Sequence, residues 1–325
     1  MIIHIISVIA GFMLLIKGAD YLVDGSTSLA RRMGVSTLVI GLTVVAFGTS
    51  APELVVNIVA AFSGTPDIAL GNINGTNIAN VFLILGIAAL FVRIPVKTRT
   101  VWREVPFMLF AGLLLVLLLL DRVLTQSDVI ALTRIDGLIL LLSFAVFLYY
   151  LFVSAQKTKG AAKVEQTSIS RGRAFVLTGS GFAGLIVGGH LTVRGASELA
   201  LSFGVSETLV ALTIVAIGTS LPELAAAVTA ARKGHTDLAI GNVVGSTVFN
   251  ILLVLGLTAT ISPKTMVVDA INVQDAIIAF GAMLVMYIAL FIGGRSYADR
   301  GVGKRAGIVF LVLYVAYFVF VLVRG

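Results

Sequence analysis

Long apolar segments alternate with short polar loops along almost the whole chain. A bilayer core about 30 Å thick requires about 20 apolar residues in each helix that crosses it. Ten segments meet this requirement, so the pattern predicts an all-α membrane protein with ten transmembrane helices. The predicted spans are 2–30, 36–62, 67–91, 102–120, 134–154, 172–202, 206–230, 236–260, 275–293 and 303–323.

The basic residues of the loops predict how these helices are oriented. Alternate loops on one side of the membrane carry 17 Lys and Arg residues, whereas the opposite side carries four. Because cytoplasmic loops are enriched in Lys and Arg, we expect both termini outside the cell (extracellular or periplasmic) and the polar segment 156–171 in the cytoplasm. The first segment has no small-residue cleavage site and is expected to be a retained helix in the plasma or inner membrane.

Composition agrees with this pattern and excludes other classes of protein. The chain has 325 residues, of which 58% are hydrophobic and 12% are charged, and its mean hydropathy is +1.08. Soluble domains carry about 25% charged residues, so a soluble enzyme is not expected. The net charge of +7 comes from short loops, which does not favour a nucleic-acid partner. The chain contains no Cys, which excludes disulfides and a thiol nucleophile.

The two halves of the chain repeat each other at an offset of 170 residues. Residues 11–86 and 181–256 are identical at 34 of 76 positions. The segment GTSAPE at 48–53, for example, returns as GTSLPE at 218–223. Such similarity indicates an internal duplication.

Each repeat contains five predicted spans, and because five is odd the second repeat enters the membrane from the opposite side. Inverted repeats of this kind are the architecture of secondary transporters, whose site lies near mid-membrane where the repeats meet. The predicted organisation is a five-helix repeat at 1–155, a cytoplasmic linker at 156–171 and a second, inverted five-helix repeat at 172–325.

Glu53 and Glu223 lie near the middle of apolar spans, at matching positions of the two repeats. An ionised side chain at that depth costs at least about 2.5–3.5 kcal/mol, so it is a candidate for function. A protonated or ion-paired structural glutamate is the alternative. The neighbouring spans have no basic residue at the matching depth, which favours a carboxylate pair that binds cations.

Small and oxygen-bearing residues accompany each glutamate. Helical spacing places on the same face Ala46, Thr49 and Ser50 in the first repeat and Ala216, Thr219 and Ser220 in the second. Pro52 and Pro222 lack the N–H that a carbonyl of the preceding turn would accept, so that carbonyl is available to a cation. An ordinary proline kink is the alternative.

A second polar stripe lies in the span that follows each glutamate. The segment GNINGTNIAN at 71–80 returns as GNVVGSTVFN at 241–250. Its polar residues recur every four positions, as Asn72, Thr76 and Asn80 and as Asn242, Ser246 and Asn250. Hydrogen bonding between helices is one function of such residues. We expect the glutamates to be faced by Thr76, Asn80, Ser246 and Asn250.

The chemistry of these groups predicts which ion they bind. Carboxylate, carbonyl, hydroxyl and amide oxygens suit Ca²⁺, Na⁺ or Mg²⁺, and Ca²⁺ accepts about 6–8 of them at flexible angles. An empty site with two negative charges is costly to close away from water. Closure is therefore expected with one Ca²⁺ or with two or more Na⁺, which predicts antiport by alternating access.

Glycines at intervals of seven mark the first span of each repeat. They are Gly11, Gly18 and Gly25 and their counterparts Gly181, Gly188 and Gly195. Static close packing of two long helices and a sliding movement between them both fit this stripe. Lys17, Asp20 and Asp24 of the first span are expected to pair locally or to extend to the membrane surface.

The paired GTSxPE and GNxxG[S/T]xxxN segments resemble the two α-repeats of the cation/calcium antiporter superfamily, and the whole chain is similar to prokaryotic sodium/calcium exchangers. The resemblance implies that Glu53 and Glu223 bind Ca²⁺ together with the backbone carbonyls of Thr49 and Thr219. It implies Na⁺ sites at Ala46, Ser50, Thr76, Ala216, Ser220 and Ser246, with Asn80 and Asn250 lining the centre. We expect a monomer in the lipid bilayer that carries Ca²⁺ and Na⁺, with no catalytic group and no cofactor.

Asn250 is a departure from the family pattern, because some prokaryotic members have Asp at this position. Without that titratable group, ion affinity, proton sensitivity and K⁺ involvement stay open. Proton-coupled members typically carry an extra acid in the GN segment, and its absence here favours Na⁺ coupling. A proton-coupled Ca²⁺ antiporter is the alternative, and a cation channel is a more distant one.

Overall fold

The computed structural model describes residues 1–124, 130–158, 169–205, 216–292 and 300–324, together with Val210 and Ile214. The described chain is almost entirely helical. The helices are α1 (Ile2–Met33), α2 (Thr37–Thr49), α3 (Ala51–Phe62), α4 (Pro66–Phe91), α5 (Val105–Leu124), α6 (Arg134–Thr158), α7 (Arg171–Ser202), α8 (Leu221–Arg232), α9 (Thr236–Ile261), α10 (Ala270–Ile292) and α11 (Lys304–Arg324). A π-helical turn (Thr100–Glu104) precedes α5, and a short helical turn (Ala216–Gly218) precedes α8.

In the described part of the chain, eight helices are long and apolar enough to cross a membrane, or nine if α2 and α3 form one bent span. The chain is therefore a multi-pass helical membrane protein, as the apolar pattern predicts. Eight predicted spans correspond to single helices, and the span at 36–62 corresponds to the bent pair. The remaining predicted span, 206–230, lies partly outside the described residues.

Corresponding helices of the two halves end at corresponding glycines. Gly34 follows α1 with φ of 65°, and Gly204 follows α7 with φ of 84°. Gly64 and Gly234, which follow α3 and α8, have φ of 76° and 79°. A left-handed residue that ends a helix is usually glycine, because it has no Cβ to oppose this conformation. The 170-residue repetition in sequence is thus also a repetition of local structure.

The first helices of the two halves, α1 and α7, pack directly against each other. A Cβ added at Gly11 would lie 2.7 Å from the backbone nitrogen of Thr192, and one added at Gly25 would lie 2.6 Å from that of Thr178. The partner numbers fall as the glycine numbers rise, so the two helices are antiparallel. The glycine stripe therefore brings the two backbones together, which agrees with the predicted close packing.

Two small antiparallel sheets connect loops that are far apart in sequence. Strand β1 (Ile94–Pro95) pairs with β4 (Gly301–Val302), and β2 (Ala131–Leu132) pairs with β3 (Met266–Val267). The prediction of an all-α fold misses these sheets. Each strand has only two residues, which is too short to produce a periodic pattern in the sequence.

The centre of the molecule is formed by α4 and α9. In the most apolar part of these helices 78% and 94% of the residues are buried, against 11% in α11 and 22% in α1. A helix that is apolar and buried on all sides is a core helix, whereas exposed apolar faces are those that lipid covers. The polar stripes predicted from the GN segments are on α4 and α9 and so lie within the core.

Candidate functional site

Both GTSxPE segments interrupt a helix just before a glutamate. Ser50 lies between α2 and α3 with φ −82° and ψ 4°, and these helices meet at 45°. Ser220 has almost the same conformation before α8, with φ −86° and ψ 0°. Pro52 and Pro222 stand in the first turn of α3 and α8, where a missing N–H is tolerated. Each glutamate therefore lies in the first turn of a helix, whose N-terminal N–H groups favour a negative charge.

The side chains of Glu53 and Glu223 are completely buried. Both residues are 0% exposed, and within the described chain none of their four carboxylate oxygens has a hydrogen-bond partner. Glu53 lies within electrostatic reach of Glu223, and the Thr49 hydroxyl lies near Glu223 without a hydrogen bond of normal geometry. Two buried carboxylates that repel each other without a partner require either protonation or a bound cation.

Further buried oxygens belong to the same elements. Within the described residues, Ser50 Oγ, Ser220 Oγ, Asn80 Oδ1 and Asn250 Oδ1 also lack a hydrogen-bond partner. Helix α3 packs against the turn of α9 that carries Asn250, and α8 packs against the turn of α4 that carries Asn80. With the carboxylates these groups supply eight oxygen atoms, and buried polar atoms without partners are rare in proteins. The set matches the hard oxygen ligands that Ca²⁺ and Na⁺ prefer.

A hydrogen-bond network joins the two halves of the chain at Thr49. The Thr49 hydroxyl lies 3.2 Å from Asn242 Oδ1 and 3.2 Å from Ser246 Oγ. Asn242 in turn donates from Nδ2 to the backbone carbonyl of Glu223 at 3.3 Å. This network holds the first broken helix against α9, beside the second glutamate.

The other predicted site residues lie on the same elements. Ala46 and Thr76 are buried, and a Cβ added at Gly245 would lie 2.8 Å from that of Ala46. Thr219 is half-buried. The side chain of Ala216 lies outside the part of the chain that the structure describes.

Two buried asparagines of the core, Asn57 and Asn77, are not among the residues that the sequence predicts for the site. Asn57 accepts a hydrogen bond from Asn72 Nδ2 at 3.2 Å, and Asn77 accepts one from Asn250 Nδ2 at 3.3 Å; Asn57 and Asn77 are 0% exposed. The signal that could have found Asn57 is its position one helical turn after Glu53 in an apolar helix. Asn77 stands outside the four-residue stripe and had no such signal.

The acids of α1 pair with a distant residue. Lys233 Nζ lies 2.8 Å from Asp24 Oδ1 and 3.2 Å from Asp20 Oδ1. The sequence predicts local pairing or extension to the membrane surface, and it does not indicate this distant partner. Burial opposes the charge of Lys233, but the hydrogen bonds to Asp24 and Asp20 outweigh it and raise the pKa of Lys233. The loop after α8 is thereby fastened to α1.

A cavity of about 410 Å³ lies between α7 and the two broken helices. Pro52, Thr219 and Pro222 line one side of it, and His190 lines the side formed by α7. The cavity therefore reaches the helix breaks that precede both glutamates.

A multi-pass helical fold with a buried, acidic and oxygen-rich centre between broken helices defines a membrane protein that transports ions. The family model described as "Sodium/calcium exchanger protein" matches residues 3–153 and again residues 173–323. The chain belongs to the sodium/calcium exchanger family, as its resemblance in sequence implies, and is a membrane antiporter of that family.

Related proteins agree with this assignment. The putative antiporter CaxA of Alkalimonas amylolytica is 37% identical over 326 residues, which cover 98% of both chains. The sodium/calcium exchanger MaX1 of Methanosarcina acetivorans is 29% identical over 350 residues, again 98% of both chains. The solved structure of the sodium/calcium exchanger from Methanococcus jannaschii covers 98% of both chains at 30% identity, with a TM-score of 0.78. The names of these relatives describe transporters.

Proposed function

We propose that the chain exchanges Ca²⁺ for Na⁺ across the plasma or inner membrane at a site built on Glu53 and Glu223. The observation that carries this proposal is the complete burial of both carboxylates without a hydrogen-bonding or ion-pairing partner in the described chain. A bound cation compensates the charge of such a pair, as protonation also would, and the acidic pair together with further unpartnered oxygens favours the cation. The names of the relatives support Na⁺ and Ca²⁺ as the two ions.

In the proposed site, both glutamates bind Ca²⁺ with the backbone carbonyls of Thr49 and Thr219. The helix breaks after these two residues support the assignment, because a break leaves backbone carbonyls without a hydrogen-bond partner in the helix. Na⁺ binds at Ala46, Ser50, Thr76, Ala216, Ser220 and Ser246, with Asn80 and Asn250 at the centre. Ca²⁺ and Na⁺ are the cargo, and the proposal assigns no catalytic group and no resident cofactor.

The proposed mechanism is alternating access. With both glutamates ionised, the empty site carries two negative charges, so its closure away from water is costly. One Ca²⁺, or at least two Na⁺, removes this cost and permits the closed state. Because the ions use the same carboxylates, one ion must leave before the other binds, and transport is exchange.

The proposed architecture is ten spans in two inverted repeats, 1–155 and 172–325, joined by the cytoplasmic linker 156–171. The antiparallel packing of α1 against α7 supports inversion. The two sheets also support it, because each pairs one strand of the first half with one strand of the second in antiparallel fashion. The two segments matched by the family model are also offset by 170 residues. The proposed unit is a monomer with both termini outside.

Uptake of ⁴⁵Ca²⁺ into proteoliposomes tests the proposed function. Vesicles loaded with Na⁺ and diluted into Na⁺-free buffer should accumulate Ca²⁺, and vesicles without a Na⁺ gradient should not. An imposed pH gradient is the matched comparison. Uptake driven only by the pH gradient would replace Na⁺ with H⁺ as the coupling ion, and rapid uptake without either gradient would indicate a channel.

A further inference from the structure

Asn77 and Asn250 form a buried pair that connects the two halves of the chain. Asn250 Nδ2 donates to Asn77 Oδ1 at 3.3 Å, and both residues are 0% exposed. Asn77 lies on α4, one turn before Asn80, whereas Asn250 lies on α9 in the turn that packs against the helix of Glu53. Asn77, which lies outside the polar stripe, is therefore hydrogen-bonded to Asn250, a residue of the proposed ion site.

The bond determines which atom of Asn250 is available to a ligand. A side-chain amide presents its donor nitrogen and its acceptor oxygen on two different edges, so rotation of the amide exchanges them. Because Nδ2 is engaged with Asn77, Oδ1 of Asn250 is directed away from it, and among the described residues this oxygen has no hydrogen-bond partner. Oδ1 is the atom that can bind a cation, whereas a rotated amide would present Nδ2, which cannot.

Within the described residues, the opposite repeat has no hydrogen bond equivalent to the one between Asn77 and Asn250. The counterpart of Asn77 at the 170-residue offset is Thr247, whose hydroxyl donates to the backbone carbonyl of Val243 at 2.9 Å within its own helix. In the described chain both amide atoms of Asn80, the counterpart of Asn250, are without a partner. The Asn250 amide thus has a hydrogen-bond partner in the opposite half, and within the described residues the Asn80 amide has none.

We propose that Asn77 is a positioning residue for ion binding, which holds the amide of Asn250 so that Oδ1 is directed at the cation. The proposal rests on the proposed function of the site. Because the attraction of an oxygen dipole increases with the charge of the ion, Asn77 contributes more to Ca²⁺ binding than to Na⁺ binding. Asn77 thereby favours Ca²⁺ over Na⁺ at a site that has only two carboxylates.

Equilibrium binding of ⁴⁵Ca²⁺ to the purified full-length protein, without Na⁺ and with Na⁺ as competitor, tests this assignment. Because Asn77→Ala removes one hydrogen bond between neutral groups, the Kd for Ca²⁺ should rise about 3- to 10-fold. The affinity for Na⁺, calculated from the competition with the new Ca²⁺ Kd, should change less. Asn77→Thr, which places the residue of the opposite repeat here, should behave similarly and provides a second variant if Asn77→Ala does not fold. Thr247→Ala is the matched control and should change the Kd less than about 2-fold.

A double-mutant cycle separates positioning from a general structural effect. If Asn77 acts through Asn250, Asn77→Ala should have almost no effect on the Kd in an Asn250→Ala background, because the effects of coupled residues do not add. An unchanged Kd in both single Asn77 variants, or a full additive loss in the double variant, would overturn the proposal. The failure of the proposed function would look different, because the unmodified protein would then show no Na⁺-driven Ca²⁺ uptake.

Discussion

Glu53 and Glu223 differ from the other buried glutamate of the described chain in what surrounds them. Glu104 is 1% exposed, but its Oε1 accepts a hydrogen bond from the Tyr150 hydroxyl at 2.6 Å and lies 3.5 Å from Arg99 Nε. Its charge is compensated by the protein itself. The carboxylates of Glu53 and Glu223 have no such partners within the described residues, and this difference supports the proposal that they bind an ion.

Neutralising either central glutamate should therefore abolish exchange. We expect Glu53→Gln and Glu223→Gln each to lower Na⁺-driven ⁴⁵Ca²⁺ uptake at least about 100-fold, because removal of a buried charge that contacts a charged partner costs several kcal/mol. Glu198→Gln is the matched control, since Glu198 is an exposed glutamate on the apolar helix α7, and it should retain uptake. Normal transport by either central variant would end the site assignment.

At the scale of elements, α1 and α7 are two long helices whose backbones lie unusually close together. Each helix has 32 residues, and a Cβ added at Gly188 would lie 2.8 Å from the backbone oxygen of Gly11. Bulky side chains would separate the two backbones. A smooth contact of this kind permits helices to move along each other next to the cavity that reaches the site.

A bulky residue in this contact should slow exchange. Gly188→Leu overpacks the interface, which typically costs about 1–3 kcal/mol, and we expect Na⁺-driven uptake to fall about 10-fold while ⁴⁵Ca²⁺ binding to purified protein is retained. Gly179→Leu is the control on the same helix, because a Cβ at Gly179 would meet nothing within 4 Å. Equal transport rates in the two variants would show that the contact does not move during exchange.

The turn between α8 and α9 should make stability depend on pH. Burial lowers the pKa of His235, and the positive charge of Arg31 lowers it further. The unfolded chain therefore binds a proton at His235 more readily than the folded chain does, so the free energy of unfolding should decrease as the pH falls from about 7 through the ordinary range of His, near 6.5.

Thermal unfolding of the purified protein at a series of pH values measures this effect. His235→Gln should reduce the loss of stability on acidification, because the variant has no group at this position that gains a proton. His4→Gln is a control on α1, where the histidine is half-buried near the helix end. The same pH dependence in the His235 variant and the unmodified protein would contradict the assignment.

At the scale of the whole molecule, the two halves are related but not identical. Asn57 and Asn77 have Ala227 and Thr247 as their counterparts, so the polar core of the first half contains amides that the second lacks. In contrast, each half contributes one strand to each of the two sheets, and the glycine turns recur in both halves. The framework is repeated, and the polar surroundings of the two central glutamates are not.

Cysteine labelling can test the proposed orientation, because the natural chain has no Cys. A single Thr167→Cys reporter in the linker should react with a membrane-impermeant maleimide only after the membrane is opened. A cysteine added after Gly325 should react in intact cells. The reverse result would invert the assignment of both termini. Labelling of both reporters on the same side would contradict the odd number of spans proposed between them, and with it the inversion of the repeats.

The sequence by itself determined the class of the molecule, its internal repetition and its two central acids. Insertion of a helix into the bilayer depends on its length and composition. Apolar segments of about 20 residues therefore identify most spans without knowledge of how the helices pack. The cost of a charge within the membrane makes Glu53 and Glu223 conspicuous in the same way. Pro52 and Pro222 act on their own backbone, so the helix breaks could also be predicted.

Only the tertiary structure decided which polar atoms meet across the two halves. Thr49 contacts Asn242 and Ser246, Asn250 donates to Asn77, and Lys233 pairs with the acids of α1. These partners are separated by between 173 and 213 residues along the chain. Helical periodicity shows which face of a helix a residue occupies. The crossing of one helix over another selects its partner, and that crossing results from the packing of the whole core.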